Sequence, residues 1–342
     1  MCDSLSVPPR VGIVVVGHND IDWLPSCLEA LQRSTYRYQQ IVFVDNASGD
    51  GSAQMIRRRW PHVRVVCLKR NVGFAGGNNV GIQLLALDGC DFFFLVNPDA
   101  RCPPELVSKL VAFCLQRPRY GVVGPLEVKQ LSKPHEWTRW TRRAVGWSGR
   151  PYFARWLPGL SERLEDAEDE GVIRHSYVHG SSFFVRREAL AASGLFDETF
   201  GTFYEEIDLC RRIQWIGYRV GLLANLHIEH RGRDLDSYSW YRVYHKTRNR
   251  YYLALTEPSL TERDRAVTIR RMVLVDLREI IGGSRAGRWR KALAMSLSVG
   301  WLIVRFRAVL SQLRWRAKLF KGAQLDRPLS VPYLTRQGND RC

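Results

Sequence analysis

The sequence predicts an α/β fold, a mostly parallel, doubly wound sheet flanked by helices, with a basic helical C-terminal extension. Three observations predict it. Strand-length apolar runs alternate with segments of helical periodicity through about the first 125 residues, which is the rhythm of β-α-β units. Several runs stop abruptly at polar or glycine-rich turns. Polar side chains are thereby gathered at carboxyl strand ends, where open α/β sheets bind ligands. Beyond Tyr238 the pattern becomes helical and basic to about Lys321.

The elements follow in order. Val11 to Val16 is a continuous, β-branched apolar run, expected as a buried parallel strand. Ile21, Leu24, Leu28 and Leu31 then recur at helical spacing. Ile41 to Val44 is the second strand and ends at Asp45-Asn46, and Ser48-Gly49-Asp50-Gly51-Ser52 is turn chemistry leading into a helix. Val63 to Leu68 is the third strand, and the glycine-rich stretch Lys69 to Gly77 opens a helix reaching about Leu87. Phe92 to Val96 is the fourth, terminated by Asn97-Pro98-Asp99 because proline cannot continue a central strand. Pro103 suits the first turn of another helix, and Gly121 to Gly124 is a short strand.

Residues 125–176 break the rhythm. Trp137, Trp140, Trp147 and Trp156 sit among arginines, and an acidic run from Glu162 to Glu170 follows. An aromatic and basic excursion over the sheet is expected, its rings either stacking on sugars or membrane, or stapling the loop to the domain. Tyr177 to Val185 resumes as a strand, Phe203 to Trp215 is a helix capped near Gly217, and Tyr218 to Leu223 is the last strand. The tail, 326–342, is expected to be loose.

At 342 residues with 45% hydrophobic content, the chain can bury a real core and is not disordered. Its eight cysteines are scattered with no CxxC pair, which argues against a zinc knuckle and against a disulfide framework. Met1 to Arg10 has no basic segment followed by an apolar core, so no signal peptide is expected and the catalytic part should face the cytosol. The net charge of +17 is uneven: Arg242 to Lys321 holds nineteen Lys and Arg against five Asp and Glu. That segment suits an anionic surface. Ala292 to Val304 is apolar and uncharged but shorter than the about 20 residues a membrane span needs. With Trp301 inside and Arg305 and Arg307 behind, it suits an interfacial helix, so a membrane surface is expected and nucleic acid is not.

Five constellations carry chemistry. Asn97 and Asp99 offer two oxygens to a hard divalent cation, which also takes oxygens from a substrate phosphate. Asp45 and Asn46 can accept from a nucleobase or ribose, or simply start a turn. Asn71-Val72-Gly73-Phe74-Ala75-Gly76-Gly77-Asn78-Asn79 suits an anion at a helix start. It lacks the Gly-Lys-Ser/Thr of a P-loop and the G-x-G of a dinucleotide fingerprint, which disfavours a dehydrogenase. Glu205, Glu206 and Asp208 lie within four residues. One glutamate can serve as a general base, while Asp208 is spaced to pair with Arg212. His227 and His230 lie past the last strand, where one can complete a cation shell begun by Asp99.

In this order the segments resemble the glycosyltransferase family 2 enzymes of GT-A fold, nearest the rhamnosyltransferase-like and galactofuranosyltransferase-like members, over about residues 11–250. The matching pieces are Val14-Val15-Val16-Gly17-His18-Asn19, Val44-Asp45-Asn46-Ala47-Ser48-Gly49-Asp50-Gly51-Ser52, the Asn71 loop and Asn97-Pro98-Asp99. Gly194-Leu195-Phe196-Asp197-Glu198, Tyr204-Glu205-Glu206-Ile207-Asp208, His230 and Arg248-Asn249 complete the set.

The resemblance implies a GT-A (Rossmann-like) catalytic domain over 1–240, with a nucleotide-sugar part at about 10–125 and an acceptor part at about 177–240. The 241–325 region is then the helical, membrane-associating extension. It implies donor contacts from Val15, Gly17, Asn19, Asp45, Asn46, Asn71, Gly73, Asn78 and Asn97. A divalent metal, Mg2+ or Mn2+, would sit on Asp99 and His230. Glu206 or Glu205 would be the base, and Gly180, Asp197, Asp208 and Arg248 would support the acceptor side. Glu206 stands where the family has an aspartate, and Asn97 replaces a carboxylate of its metal motif, as in the rhamnosyl-like subgroup. The implied reaction is inverting transfer of a sugar, rhamnose from dTDP-rhamnose, to a lipid-linked or polysaccharide acceptor at the cytoplasmic face of the inner membrane. Other donors (galactofuranose, galactose, N-acetylglucosamine) and a non-catalytic nucleotide-sugar-binding scaffold are the alternatives.

Overall fold

The computed structural model describes residues 7–128, 171–174, 177–231, 240–282 and 285–322. The aromatic part of the 125–176 excursion and the 326–342 tail lie outside the described residues. A single mixed sheet runs through the molecule in the order β3-β2-β1-β4-β8-β6-β9-β5, with β7 paired to β9. Its first half is the expected parallel unit: β1 (Val11–Gly17) lies between β2 (Gln39–Asp45) and β4 (Phe92–Val96), with β3 (Arg64–Cys67) outside β2. These strands read as unbroken apolar runs because helices cover both faces. Alternate residues go to opposite cores. Ile13, Val15 and Phe43 pack with Leu24, Leu28 and Leu31 of α1 (Leu24–Gln32), and with α2 (Ser52–Arg59) and α4 (Leu106–Gln116). Val14, Val42 and Val44 pack with Ile82 and Leu85 of α3 (Gly73–Leu87).

Past β4 the sheet becomes mixed. The strand expected over Tyr177 to Val185 is β8 (Ser182–Arg186), antiparallel to both β4 and β6 (Tyr120–Val128). β6 is more than twice the expected length, with register shifts between Tyr120 and Val122 and between Pro125 and Leu126 that let it pass through Pro125. β9 (Arg219–His230) runs well beyond the expected Leu223. Its distal half is held by β6 and by the two-residue β5 (Ala100–Arg101), while β7 (Val172–Arg174) pairs farther up. His227 and His230 are therefore strand residues, not loop residues. Local composition could not show this, because the extension is stabilised by partners distant in sequence.

α5 (Arg187–Ser193) and α6 (Glu205–Trp215) pack on the α3 side. The C-terminal region forms α7 (Trp240–Leu255), α8 (Glu262–Gly282), α9 (Arg285–Val304) and α10 (Phe306–Phe320). It is fused to the α/β part through a third core that joins Phe200 and Ile207 to Tyr252, Met272 and Val309. Arg316 of α10 reaches through that core, 2.8 Å from both Asp197 and Asp208.

Candidate active site

Three strand ends set the site. Gly17, Asp45 and Val96 are the last residues of β1, β2 and β4, and the pairing registers set Asp45 opposite Gly17 and Val96 opposite Val15 at one sheet edge. The Asn46 backbone N–H donates to the Gly17 carbonyl at 2.8 Å, carrying the β1–β2 ladder one step past Asp45. Its side chain is engaged at both ends, donating to the Gly73 carbonyl (3.0 Å) and accepting from the Val72 N–H (2.8 Å). Asn46 thus ties the Asn71–Gly73 loop to the edge. Asn19 is tied similarly: its backbone sits at φ 56°, and its carbonyl oxygen Oδ1 accepts from the Gly49 N–H at 2.9 Å. Asp45 is buried and accepts from the Ser48 N–H at 3.1 Å. Val15 lies fully buried in the core below this edge.

Gly73 begins α3 at φ +77°, where a side chain would be strained and a Cβ would stand 2.4 Å from the Gly201 carbonyl oxygen. This close approach brings the loop against the segment that leads into α6. Asn71 accepts from the Gly73 N–H at 2.9 Å, and Asn78 donates to the Phe74 carbonyl at 2.9 Å. Gly180 gives Phe74 its room, since a Cβ there would meet the ring at 2.6 Å.

One end of the candidate site forms where β5 pairs with β9. Ala100 is directly opposite His230, so the residue before it, Asp99, meets the imidazole. His230 Nε2 lies 3.3 Å from Asp99 Oδ1 and 3.4 Å from the Asn97 amide, across 133 residues of sequence in the latter case. The other ring nitrogen, Nδ1, lies 3.1 Å from Glu127 Oε2, and Ser181 donates its hydroxyl to the second oxygen of Glu127. Burial alone disfavours the imidazolium. Hydrogen bonds to Asp99 and Glu127, and their charges, outweigh it and lift His230 to about 10. Glu127 moves the other way: burial raises its pKa, but His179 and His230 more than reverse this. Sequence reasoning missed Glu127, Ser181 and His179. Glu127 lies in the part of β6 beyond its expected end, where no local signal marks it.

Among the described residues no cluster of three or more His, Cys, Asp and Glu is arranged to hold a metal. A carboxylate and an imidazole, with an amide beside them, fit a cation that displaces the proton from His230 Nε2 and completes its shell with phosphate oxygens and water.

The acidic helix start forms the other end. Phe203 and Tyr204 both have positive φ, 73° and 78°, immediately before α6. Two such non-glycine residues cost about 1–3 kcal/mol each and need outside support. Asn249 supplies it by sharing its amide among the carbonyls of Phe200, Thr202 and Phe203 at 2.8–2.9 Å. Arg248 adds bonds to the carbonyls of Thr199 and Phe200. Glu205 and Glu206 are thereby aimed by a strained, clamped turn, and each keeps one buried carboxylate oxygen without a hydrogen-bond partner among the described residues. Burial, with the charge of Glu206 added, pushes Glu205 well above the usual carboxylate range. Burial also raises Glu206, with His179 and Lys246 pulling against it. His179 acts electrostatically on both Glu127 and Glu206.

Asp208 does not face the same space. It pairs with Arg212 at 2.9 Å, as its spacing suggests, and with Arg316. Asp197 takes Arg316 and the Tyr252 hydroxyl, the latter at 2.7 Å. Asp197 and Asp208 are thus buried ion-pair partners beneath the site.

The family described as Glycosyl transferase family 2 matches residues 12–194, more than half of the chain. The N-acetylglucosaminyl-diphospho-decaprenol L-rhamnosyltransferase of Mycobacterium tuberculosis is 26% identical over 253 residues, 69% of this chain and 81% of that one. The dTDP-rhamnosyl transferase RfbF of Shigella flexneri is 22% identical over 200 residues, 56% of this chain and 62% of that one. Among solved structures, the mannosyltransferase PcManGT from Pyrobaculum calidifontis, in complex with GDP-Man and Mn2+, superposes with a TM-score of 0.52. It is 16% identical, and the match covers 93% of this chain and 87% of that one, a likeness of fold.

Proposed function

Since this chain belongs to glycosyl transferase family 2, we propose that it moves rhamnose from dTDP-rhamnose, with inversion, onto a lipid-linked or polysaccharide acceptor in cell-surface glycan synthesis, working at an anionic membrane surface. The observation that carries the reading is the meeting of Asp99, His230 and Asn97 at the sheet edge that also holds Asp45. The rhamnose assignment draws on Asn97 in the metal motif and on the two rhamnosyl-transferring relatives.

Each residue has a task in this reading. Asp45 accepts hydrogen bonds from the base or ribose, and the Asn71–Gly73 loop, fastened by Asn46, borders the nucleotide. Asp99 and His230 would hold a divalent cation, Mg2+ or Mn2+. When bound it neutralises charge on the leaving diphosphate. Glu206, the less buried of the two glutamates, takes the proton from the acceptor hydroxyl as that oxygen attacks the anomeric carbon opposite the departing diphosphate. One base on the acceptor side suits a single displacement and needs no glycosyl-enzyme.

A panel of nucleotide sugars, assayed for hydrolysis with Mn2+ or Mg2+ and with EDTA, tests the reading. Turnover is expected for dTDP-rhamnose and only with the cation. Asp99→Ala is expected to weaken donor binding by ten-fold or more in the presence of metal, and to make no difference in EDTA. Donor affinity unchanged by both Asp99→Ala and EDTA would remove the metal site from the reading.

Glu127 fixes the ring orientation of His230, the task that outer partners of metal-bound histidines perform. Glu127→Gln is expected to weaken Mn2+ binding about 10–100-fold, read by electron paramagnetic resonance of free Mn2+ without any substrate. An unchanged Mn2+ affinity would leave Glu127 as a packing residue.

A further inference from the structure

We propose that the outward faces of α8 and α9, with the bend into α10, lie flat in the interfacial layer of an anionic lipid bilayer without crossing it. The membrane setting rests on the function proposed above, but the face itself is argued from this surface alone.

Twelve of the eighteen large hydrophobic side chains exposed among the described residues lie on these three helices. On α9 the exposed Trp289, Leu293, Leu297 and Val304 recur at helical spacing, while Ala294 and Ser298 are buried on the opposite side. The outward stripe from Leu293 to Val304 carries no charge, and apart from Ser296 its exposed side chains are apolar. On α8 the outward residues alternate in kind: Arg270 and Arg271, then Leu274 and Leu277, then Arg278 and Ile281. Arginines flanking leucines in this way can lay their stems along acyl chains and place their guanidinium groups among phosphates.

The charge decides between occupants. α9 and α10 contain no acidic residue. On α8, Glu262 and Asp264 lie in the first turn, ahead of the Arg270 to Ile281 stretch, Asp276 is buried against Arg250 and Lys291, and Glu279 pairs with Lys291. A second copy of this chain would meet the face with the same positive sign, which is unfavourable. Anionic headgroups complement it. Among the described residues no single helix is long and apolar enough to cross a bilayer; α9 and α10 reach that length and composition only as a pair, and their 75° bend does not suit a straight crossing. At that bend Val304 and Phe306, 84% and 59% exposed, project on either side of Arg305 as an apolar tip.

Flotation of the full chain with vesicles tests this. Binding is expected to phosphatidylcholine vesicles containing a quarter phosphatidylglycerol. It should be at least ten-fold weaker to phosphatidylcholine alone, fall with added salt and be released by alkaline carbonate. Arg270→Gln with Arg271→Gln should weaken binding about 30-fold, at roughly one guanidinium–headgroup interaction per arginine. Leu297→Gln with Val304→Gln should weaken it ten-fold or more. Donor hydrolysis in solution should persist in both variants, which shows them folded. Binding that ignores lipid charge or both variants overturns the proposal, as does resistance to carbonate, which means a span. Loss of self-association in Leu297→Gln/Val304→Gln by sedimentation velocity, with vesicle binding intact, assigns the face to a second copy instead. Vesicle binding as expected in a parent chain that hydrolyses no nucleotide sugar would leave the surface standing and remove the catalytic reading.

Discussion

Glu206→Gln is expected to lower kcat by about 10²–10⁴-fold while leaving donor affinity near that of the parent, because general-base catalysis typically contributes that much. Glutamine keeps the shape and a hydrogen-bonding oxygen but cannot accept the proton. Glu205→Gln, which alters the more deeply buried neighbour, is expected to cost far less. Near-normal turnover in both variants would rule out the pair as the source of the base. The pH profile adds a second reading. Both carboxyls are pushed up, Glu205 by burial and by its neighbour's charge and Glu206 by burial. The pair titrates in two macroscopic steps. The acid limb of kcat/KM is therefore expected above the ordinary glutamate value of 4.5, with activity rising as pH increases through it. The sign for stability is opposite. A carboxyl whose folded pKa is raised loses stability as pH climbs from the unfolded value through the folded one. Glu206→Gln removes that loss, so at neutral pH the variant should be inactive yet at least as stable as the parent by urea denaturation. An inactive variant that is also unstable would mark Glu206 as structural.

Arg316→Met is expected to destabilise the protein by about 3–5 kcal/mol, the usual consequence of removing one partner from a buried ion network. Arg316 is fully buried and lies 2.8 Å from Asp197 and from Asp208, with Phe200 and Tyr252 rings beside its guanidinium. Methionine fills much of the volume but leaves two carboxylates short of a cation, although Asp208 keeps Arg212 and Asp197 keeps the Tyr252 hydroxyl. Burial by itself raises the Asp197 pKa, but Arg316, Tyr252 and Thr199 reverse this and hold it below the usual aspartate value. That contribution is present above the unfolded pKa and is lost as pH falls through the folded one. The deficit of Arg316→Met should thus be full at neutral pH and shrink in acid. Adding Asp197→Asn and Asp208→Asn should recover part of it. A deficit below 1 kcal/mol at pH 7 would mean the network is solvated. Asp208 is on α6 only two residues beyond Glu206, so the same substitution should also reduce turnover at temperatures where the protein remains folded.

The sequence alone carried the sheet-edge half of the candidate site. Asp45, Asn97 and Asp99 could be placed because each follows a strand whose continuous apolar run is a local signal. The parallel order of β1, β2 and β4 puts those ends side by side without further information. The glycine-rich loop was legible for the same reason, since turn chemistry is local.

Tertiary structure decided what depends on partners distant in the chain. His230 stands beside Asp99 because β5, only two residues long, finds β9, and no periodicity marks so short a strand. Glu127 enters because β6 continues past a proline under support from β9. Asn46 and Asn19, expected to contact donor, have side chains tied up in loop-to-loop hydrogen bonds, which composition cannot reveal. The same holds for the basic C-terminal region. Its charge was countable from residue types, but Arg316 turns inward to a buried pair of aspartates while Arg270 and Arg271 turn outward. Charge is a property of the residue; its direction is set by which core the helix packs against.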